Sequence, residues 1–244
     1  QELSSTAPLA RTVGGAGVAV AILDTGVVLN HPDLLGRVKE CKDFTQPKRA
    51  VTENECEDKN GHGTHVAGIV AATGGEDHRG IYGMAPEADL FVYRVCANDG
   101  SCWADDVAVA LKTAADNGAQ IVTMSFGSDN ASSLVSDAIS YADKKGVLMI
   151  AAAGNDGPYP ESIDYPASSP EVVSVGAIDV RDIIADWSSR GTNGATKHYE
   201  RNKGDMELVA PGVNVESTWK DGGYAILSGT SMAVPHVAGL AAKL

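Results

Sequence analysis

Residues 17–24 read GVAVAILD, and the fold turns on them. Apolar side chains fill the stretch without alternation, and Val and Ile give it strand character. A strand with one wet face alternates, so continuous apolarity marks a strand covered on both faces. The same texture returns in DLFVYRV (89–95), AQIVTMSF (119–126), GVLMIAAAG (146–154), EVVSVGAI (171–178) and MELVAPG (206–212). Between these runs lie segments with helical spacing: HVAGIVAA (65–72), DDVAVALKTAADNG (105–118), SLVSDAISYADKKG (133–146) and SMAVPHVAGLAAKL (231–244). Two of them stop at Gly118 and Gly146, where glycine frees a helix end. Strand and helix in alternation predict an α/β fold, a doubly wound, mainly parallel sheet with helices on both faces. Ligands of such sheets gather at the carboxyl ends of the strands. The longest polar segment, residues 185–212, is expected to be a surface loop or hairpin.

The 244 residues, 43% of them hydrophobic, suffice for one sizeable core, and a single domain over 1–244 is expected. No apolar run is long enough to cross a bilayer, and no membrane association is expected. The formal charge of -13 argues against nucleic acid, which demands clustered Lys and Arg, and fits a soluble acidic protein. The chain opens at Gln1 without the charged start and apolar core of a signal peptide, so a processed or trimmed chain is expected. Four cysteines allow three pairings. The local one, Cys41–Cys56 with Cys96–Cys102, is expected in an oxidising compartment; four reduced thiols are the alternative.

Three positions carry nucleophilic chemistry. Ser231 in GTSMA has the setting of a nucleophile elbow, with Ala233 in the last place. His236 follows it, but five residues of helix put it roughly 140° around and about 7.5 Å along the axis. His236 therefore cannot face the hydroxyl, and the base must come from upstream. Asp24 ends the first apolar run. Taken alone it reads as a strand-end residue capping a turn. In NGHGTHVAG (60–68), His62 and His65 share a helix face, which a metal site could use, although no third ligand is evident. Alternatively His62 opens the helix, with Gly61 and Gly63 allowing close approach of other groups.

The order Asp24, His62, Ser231, together with AILDTGV, GHGTHVAG, SGTSMAVPHVAG, AAAGN and VAPG, resembles the subtilisin-like serine proteases. CKDFT, YGMAPEADL and DGGYAILSGTSMA are most similar to their sphericase-type members from bacilli. The resemblance runs from Asp24 to the C-terminus. It implies a secreted, extracellular serine endopeptidase that cuts peptide bonds through an acyl-enzyme; a catalytically inactive, peptide-binding relative is the alternative. Ser231 would be the nucleophile, His62 the base and Asp24 the residue orienting it. Asn155, otherwise a turn residue, would supply the oxyanion amide beside the Ser231 N–H. Substrate would add as a strand along Ser125, Phe126 and Gly127 on one side and Gly100, Ser101 and Cys102 on the other. Trp103 would wall a distal pocket or be a buried helix-start aromatic. Ala152, Gly154, Asp156 and Asp164 would surround the primary specificity pocket, where two carboxylates favour a basic side chain.

The resemblance also implies structural calcium. Asp33 and the loop residues Asp77, Arg79 and Ile81 would serve one ion, the last two through backbone carbonyls. Ala167, Ser169 and Val172 would serve a second. Polypeptide substrates, a cleaved inhibitory propeptide and a monomer complete what the family implies. Relatives usually continue beyond the Ser-bearing helix, so the usual C-terminal end is expected to be missing after Leu244.

Overall fold

The computed structural model describes residues 13–47, 49–192 and 204–244. Part of the long polar segment, 193–203, lies outside the described residues. Strand β1 (Ala19–Asp24) is central. The chain continues through β2 (Val38–Asp43), β3 (Thr52–Glu53), α1 (His62–Ala71), β4 (Asp89–Arg94) and α2 (Ala104–Asp116). It then forms β5 (Ile121–Met124), α3 (Ser133–Lys144), β6 (Leu148–Ala152), β7 (Val172–Ile178) and β8 (Leu208–Pro211). The hairpin β9 (Val215–Thr218) and β10 (Tyr224–Leu227) leads into α4 (Thr230–Lys243).

Eight strands form one sheet in the order β3-β2-β4-β1-β5-β6-β7-β8, parallel except where β3 meets β2. The chain first builds β2 and β4 on one side of β1, then β5 on the other. The winding therefore reverses beside β1, and a site is expected at that carboxyl edge. All six long apolar runs became strands of this sheet, and all four helical segments became helices.

Alternation along β1 divides the interior. Val20 and Ile22 pack with Val66, Val70, Ala233 and Val234 of α1 and α4, whereas Ala21 and Leu23 pack with Leu111 and Ile139 of α2 and α3. All four β1 side chains are 0% exposed, which explains why the run has no polar member before Asp24.

β2 was not foreseen. Its sequence VKECKD is charged because the strand lies near the sheet edge. Lys42 Nζ reaches Glu53 Oε1 of β3 at 3.0 Å, and Tyr93 donates to Glu40 at 2.6 Å. The short hairpin β9–β10 was missed for a related reason: half of it faces water and carries Glu216 and Tyr224. Both expected disulfides, Cys41–Cys56 and Cys96–Cys102, are formed.

Candidate active site

Asp24 is the last residue of β1 and is 2% exposed. His62 is the first residue of α1, where its ring is free to reach sideways. Its Nδ1–H donates to Asp24 Oδ1 at 2.8 Å. The Thr25 N–H donates to the same oxygen at 2.7 Å. Burial by itself would push the imidazole down. The Asp24 charge and hydrogen bond, with a further contribution from the Asp58 charge, outweigh it and hold His62 above its ordinary value.

The glycines beside His62 are there for close approach. A side chain on Gly61 would meet the Trp219 ring at 2.7 Å, and one on Gly63 would strike the Gly26 carbonyl. His65 does not join His62 in a metal site. Its Nε2–H donates to Val215 O and Ala225 O of the hairpin, each at 3.1 Å. Burial, only partly offset by those carbonyls, lowers it to about 4, so it is neutral near pH 7.

Ser231 lies in the first turn of α4, at the same edge of the sheet. Its Oγ donates to Ser125 O at 2.9 Å, and Ser125 Oγ donates back to Ser231 O at 2.9 Å. Pro235 explains the second bond. It stands four residues after Ser231 inside the helix and has no N–H to give the Ser231 carbonyl, which therefore accepts from Ser125. Among the described residues no hydrogen bond joins Ser231 Oγ to His62; the hydroxyl is engaged with Ser125 O. His236 turns away: its Nδ1–H donates to Met232 O at 2.8 Å, and burial lowers its pKa.

Asn155 follows β6. Its Oδ1 accepts from Thr230 N at 3.1 Å and from Thr230 Oγ1 at 3.3 Å. With the oxygen engaged, the amide N–H groups are left to donate; Asn155 Nδ2 and Ser231 N lie 4.0 and 3.7 Å from the point a side chain on Gly229 would occupy, and helix geometry leaves the first N–H groups of α4 without intrahelical partners. Two donors of this kind, next to a hydroxyl, suit a developing oxyanion.

The subtilase family model matches residues 15–244. The chain belongs to the subtilase family. It is 50% identical over 246 residues to a subtilisin of Bacillus sp. (strain TA39), covering 97% of this chain and 58% of that protein. It is 40% identical over 238 residues to subtilisin BL of Lederbergia lenta, covering 97% of this chain and 80% of that one. Among solved structures, Sphericase superposes with a TM-score of 0.92 at 48% identity, covering 97% of this chain and 79% of that chain. The S41 psychrophilic protease superposes with a TM-score of 0.90 at 51% identity, with the same coverage. The chain thus spans 58% of the Bacillus subtilisin it matches.

In this subtilase a cleft of about 310 Å³ runs past Asp24, His62, Gly100, Cys102, Ser125 and Gly127. The Cys96–Cys102 bridge closes a tight loop whose Ala97 N–H donates to Ser101 O at 2.8 Å. Trp103 departs from one of its two expectations. It is 65% exposed, so it is not a buried aromatic, and it lines a separate cleft of about 580 Å³ with Phe44, Arg49 and Asp106.

The Asp164 carboxylate lies against both Gly127 and Gly154. A side chain on Gly127 would meet its Oδ2 at 2.5 Å, and one on Gly154 would meet it at 2.6 Å. Ala152 ends β6 on the same wall and is 3% exposed. Oxygens of Asp129, Asp156 and Asp164 lie within 4.8 Å of one another, and Asp129 is a member that sequence reading missed. Burial first, then the charges of Asp156 and Asp129, raises Asp164 to about 6. Arg190 does not neutralise it, since its guanidinium donates to Ser188 O and Ala185 O.

At the other candidate sites, Asp33 is 1% exposed, and its Oδ2 accepts from Ile81 N at 2.9 Å and Tyr224 OH at 3.0 Å. A point beside Gly75 lies 3.1 Å from Asp33 Oδ1 and 3.6 Å from Asp77 Oδ1, and a side chain on Gly80 would collide with Asp33. Arg79 N donates to Asp77 Oδ1 at 3.1 Å. Near the second site, Ser169 O accepts from Val172 N at 3.0 Å, which leaves that carbonyl one lone pair, and Ala167 is 2% exposed.

Proposed function

We propose that this subtilase is a serine endopeptidase. The observation that carries the reading is the 2.8 Å His62–Asp24 bond at the winding reversal, with Ser231 and the Thr230-held Asn155 amide at the same edge. Ser231 Oγ attacks the peptide carbonyl while its proton passes to His62 Nε2. The negative oxygen that forms is met by the Asn155 amide and the Ser231 N–H. His62 then gives the proton to the leaving amine, and the acyl group remains on Ser231. Water, deprotonated by His62, releases the acid and restores the hydroxyl. Asp24 keeps the imidazole in the Nδ1–H tautomer and stabilises the cation formed in each step.

The extended substrate adds between Gly100–Cys102 and Ser125–Gly127. Cleavage is broad, with a preference for Lys or Arg in the pocket of Asp129, Asp156 and Asp164. The apolar backbone walls still admit aromatic side chains. Calcium would use the first site: Asp33 and Asp77 offer oxygens on the same side of Gly75 and Gly80 leaves room for the Asp33 carboxylate, with Arg79 and Ile81 adding carbonyls. A second ion would use Ala167, Ser169 and Val172. The protein works outside the cell as a monomeric single domain after a propeptide is cut away. The disulfides support that setting.

The test is kcat/KM on peptides ending in Arg, Lys, Phe and Leu, for the parent and Ser231→Ala. Cleavage of all four with Arg and Lys ahead, abolished in the variant, is the expected result. Parent-level turnover in Ser231→Ala would defeat the proposal.

A further inference from the structure

A second carboxylate stands behind the His62–Asp24 pair. Asp58, in EDKNGHGTH (57–65), is 3% exposed. Its Oδ1 accepts from Thr25 Oγ1 at 2.9 Å, Asn60 N at 3.0 Å and Gly61 N at 2.8 Å. Its Oδ2 accepts from Thr64 N at 2.9 Å and Thr64 Oγ1 at 2.7 Å. A helix cap needs only one or two of these bonds. The bond to Thr25 is the informative one, because it leaves the helix and reaches the strand that carries Asp24. Thr25 Oγ1 in turn accepts from Gly63 N at 2.9 Å. The path from Asp24 through Thr25 and Asp58 to the first turn of α1 therefore closes a ring with the His62–Asp24 bond.

We infer that Asp58 is a positioning residue for His62. It fixes the helix start that bears the imidazole against the strand end that bears Asp24, and adds a second negative charge behind the imidazolium formed in each proton transfer. The inference rests on the endopeptidase reading. The groups facing His62 fit this role. Asp24 from β1 and Asp58 from the preceding loop are negative, and His65 on α1 is neutral. Lys220 of the hairpin turns its Nζ to Lys59 O at 3.2 Å rather than to Asp58. Both carboxylates act on the imidazole in the same direction.

Asp58→Asn and Thr25→Val separate charge from position. Both are compared with the parent by kcat and KM against pH, and by NMR titration of the His62 ring. Asp58→Asn should move the acid limb and the ring midpoint to lower pH by roughly 0.5–1 unit. Its plateau kcat should fall about tenfold, with KM within about twofold. Thr25→Val keeps the charge, so its midpoint should stay while its plateau kcat falls about three- to tenfold. A folded Asp58→Asn whose midpoint and plateau match the parent overturns the inference. If Asp58→Asn does not fold, Thr25→Val decides, and parent-level kcat there overturns it. A parent that cleaves no peptide would defeat the endopeptidase reading, while the NMR midpoints would still judge Asp58.

Discussion

The two helical layers that cover the sheet are built differently. In α1 every residue after His62 is buried, and α4 buries eight positions, among them Pro235 and Gly239. α2 and α3 are amphipathic, with Val109 and Leu134 turned to solvent at 41% and 52% exposure. The α1–α4 pair is rich in Gly, Ala and Val at close quarters. A side chain on Gly239 would meet Met84 Cβ at 2.5 Å, and one on Gly68 would collide with Ser217 and Thr218 of the hairpin. His62 and Ser231 both begin helices of this tight layer. Position is set there by neighbouring groups packed directly against the helix backbone, with little side-chain freedom, which suits groups that must meet within hydrogen-bond reach.

The contrast is first tested where the layer bears Ser231. Ser231→Ala should keep the fold and lose on the order of 10⁴–10⁶ in turnover, a scale known from subtilisins. Retained fold with retained turnover would separate the tight layer from catalysis. Packing is tested next by Gly239→Val in α4 against Leu134→Ala in α3. The first should cost about 1–3 kcal/mol in denaturant unfolding and lower kcat. The second should stay within about 0.5 kcal/mol at parent activity. Equal costs would erase the distinction between the layers.

Calcium sharpens it. Asp33 accepts from Tyr224 of the hairpin, and its carbonyl accepts from Thr73 N at the end of α1 at 2.9 Å, so an ion bound at Asp33 would brace the α1–α4 layer. Calcium at about 100 times its Kd should add roughly 2.7 kcal/mol, read as slower thermal inactivation. An unchanged rate with excess chelator would remove the ion from the account.

The pocket is read through specificity rather than stability. Asp164→Gly should lower the Arg-to-Phe ratio of kcat/KM about ten- to a hundredfold, or ~1.4–2.7 kcal/mol. Because Asp164 is raised to about 6, its charge is present above that pH and lost below it. In the parent the ratio should therefore fall as pH drops through about 6 and rise on return to neutral pH. A ratio flat across that range would mean that Asp164 does not read the substrate.

The central fold was legible because a strand buried on both faces has to be apolar throughout, as Val20–Leu23 are. β2 and the hairpin were not, since edge and half-wet strands carry charges that read as loop. Among the site residues, Asp24, His62 and Ser231 stood out by motif and order, and helix geometry set His236 aside. Asp58 escaped notice because a carboxylate in ECEDKN looks like a solvated one. Only its five donors reveal burial with satisfaction. The Ser125–Ser231 exchange was also hidden, although Pro235 held the clue: a proline inside a helix releases the carbonyl four residues earlier. Asp129 is far from Asp164 in sequence, and only the fold brings their carboxylates together.

The most direct measurement is labelling of the folded parent with a fluorophosphonate, followed by peptide mapping. The account predicts one label per chain on Ser231, with the rate falling at low pH as His62 takes a proton and nearly lost in His62→Ala. A folded parent that takes no label, or takes it on another residue, would contradict the assignment of Ser231 as the nucleophile served by His62 and Asp24.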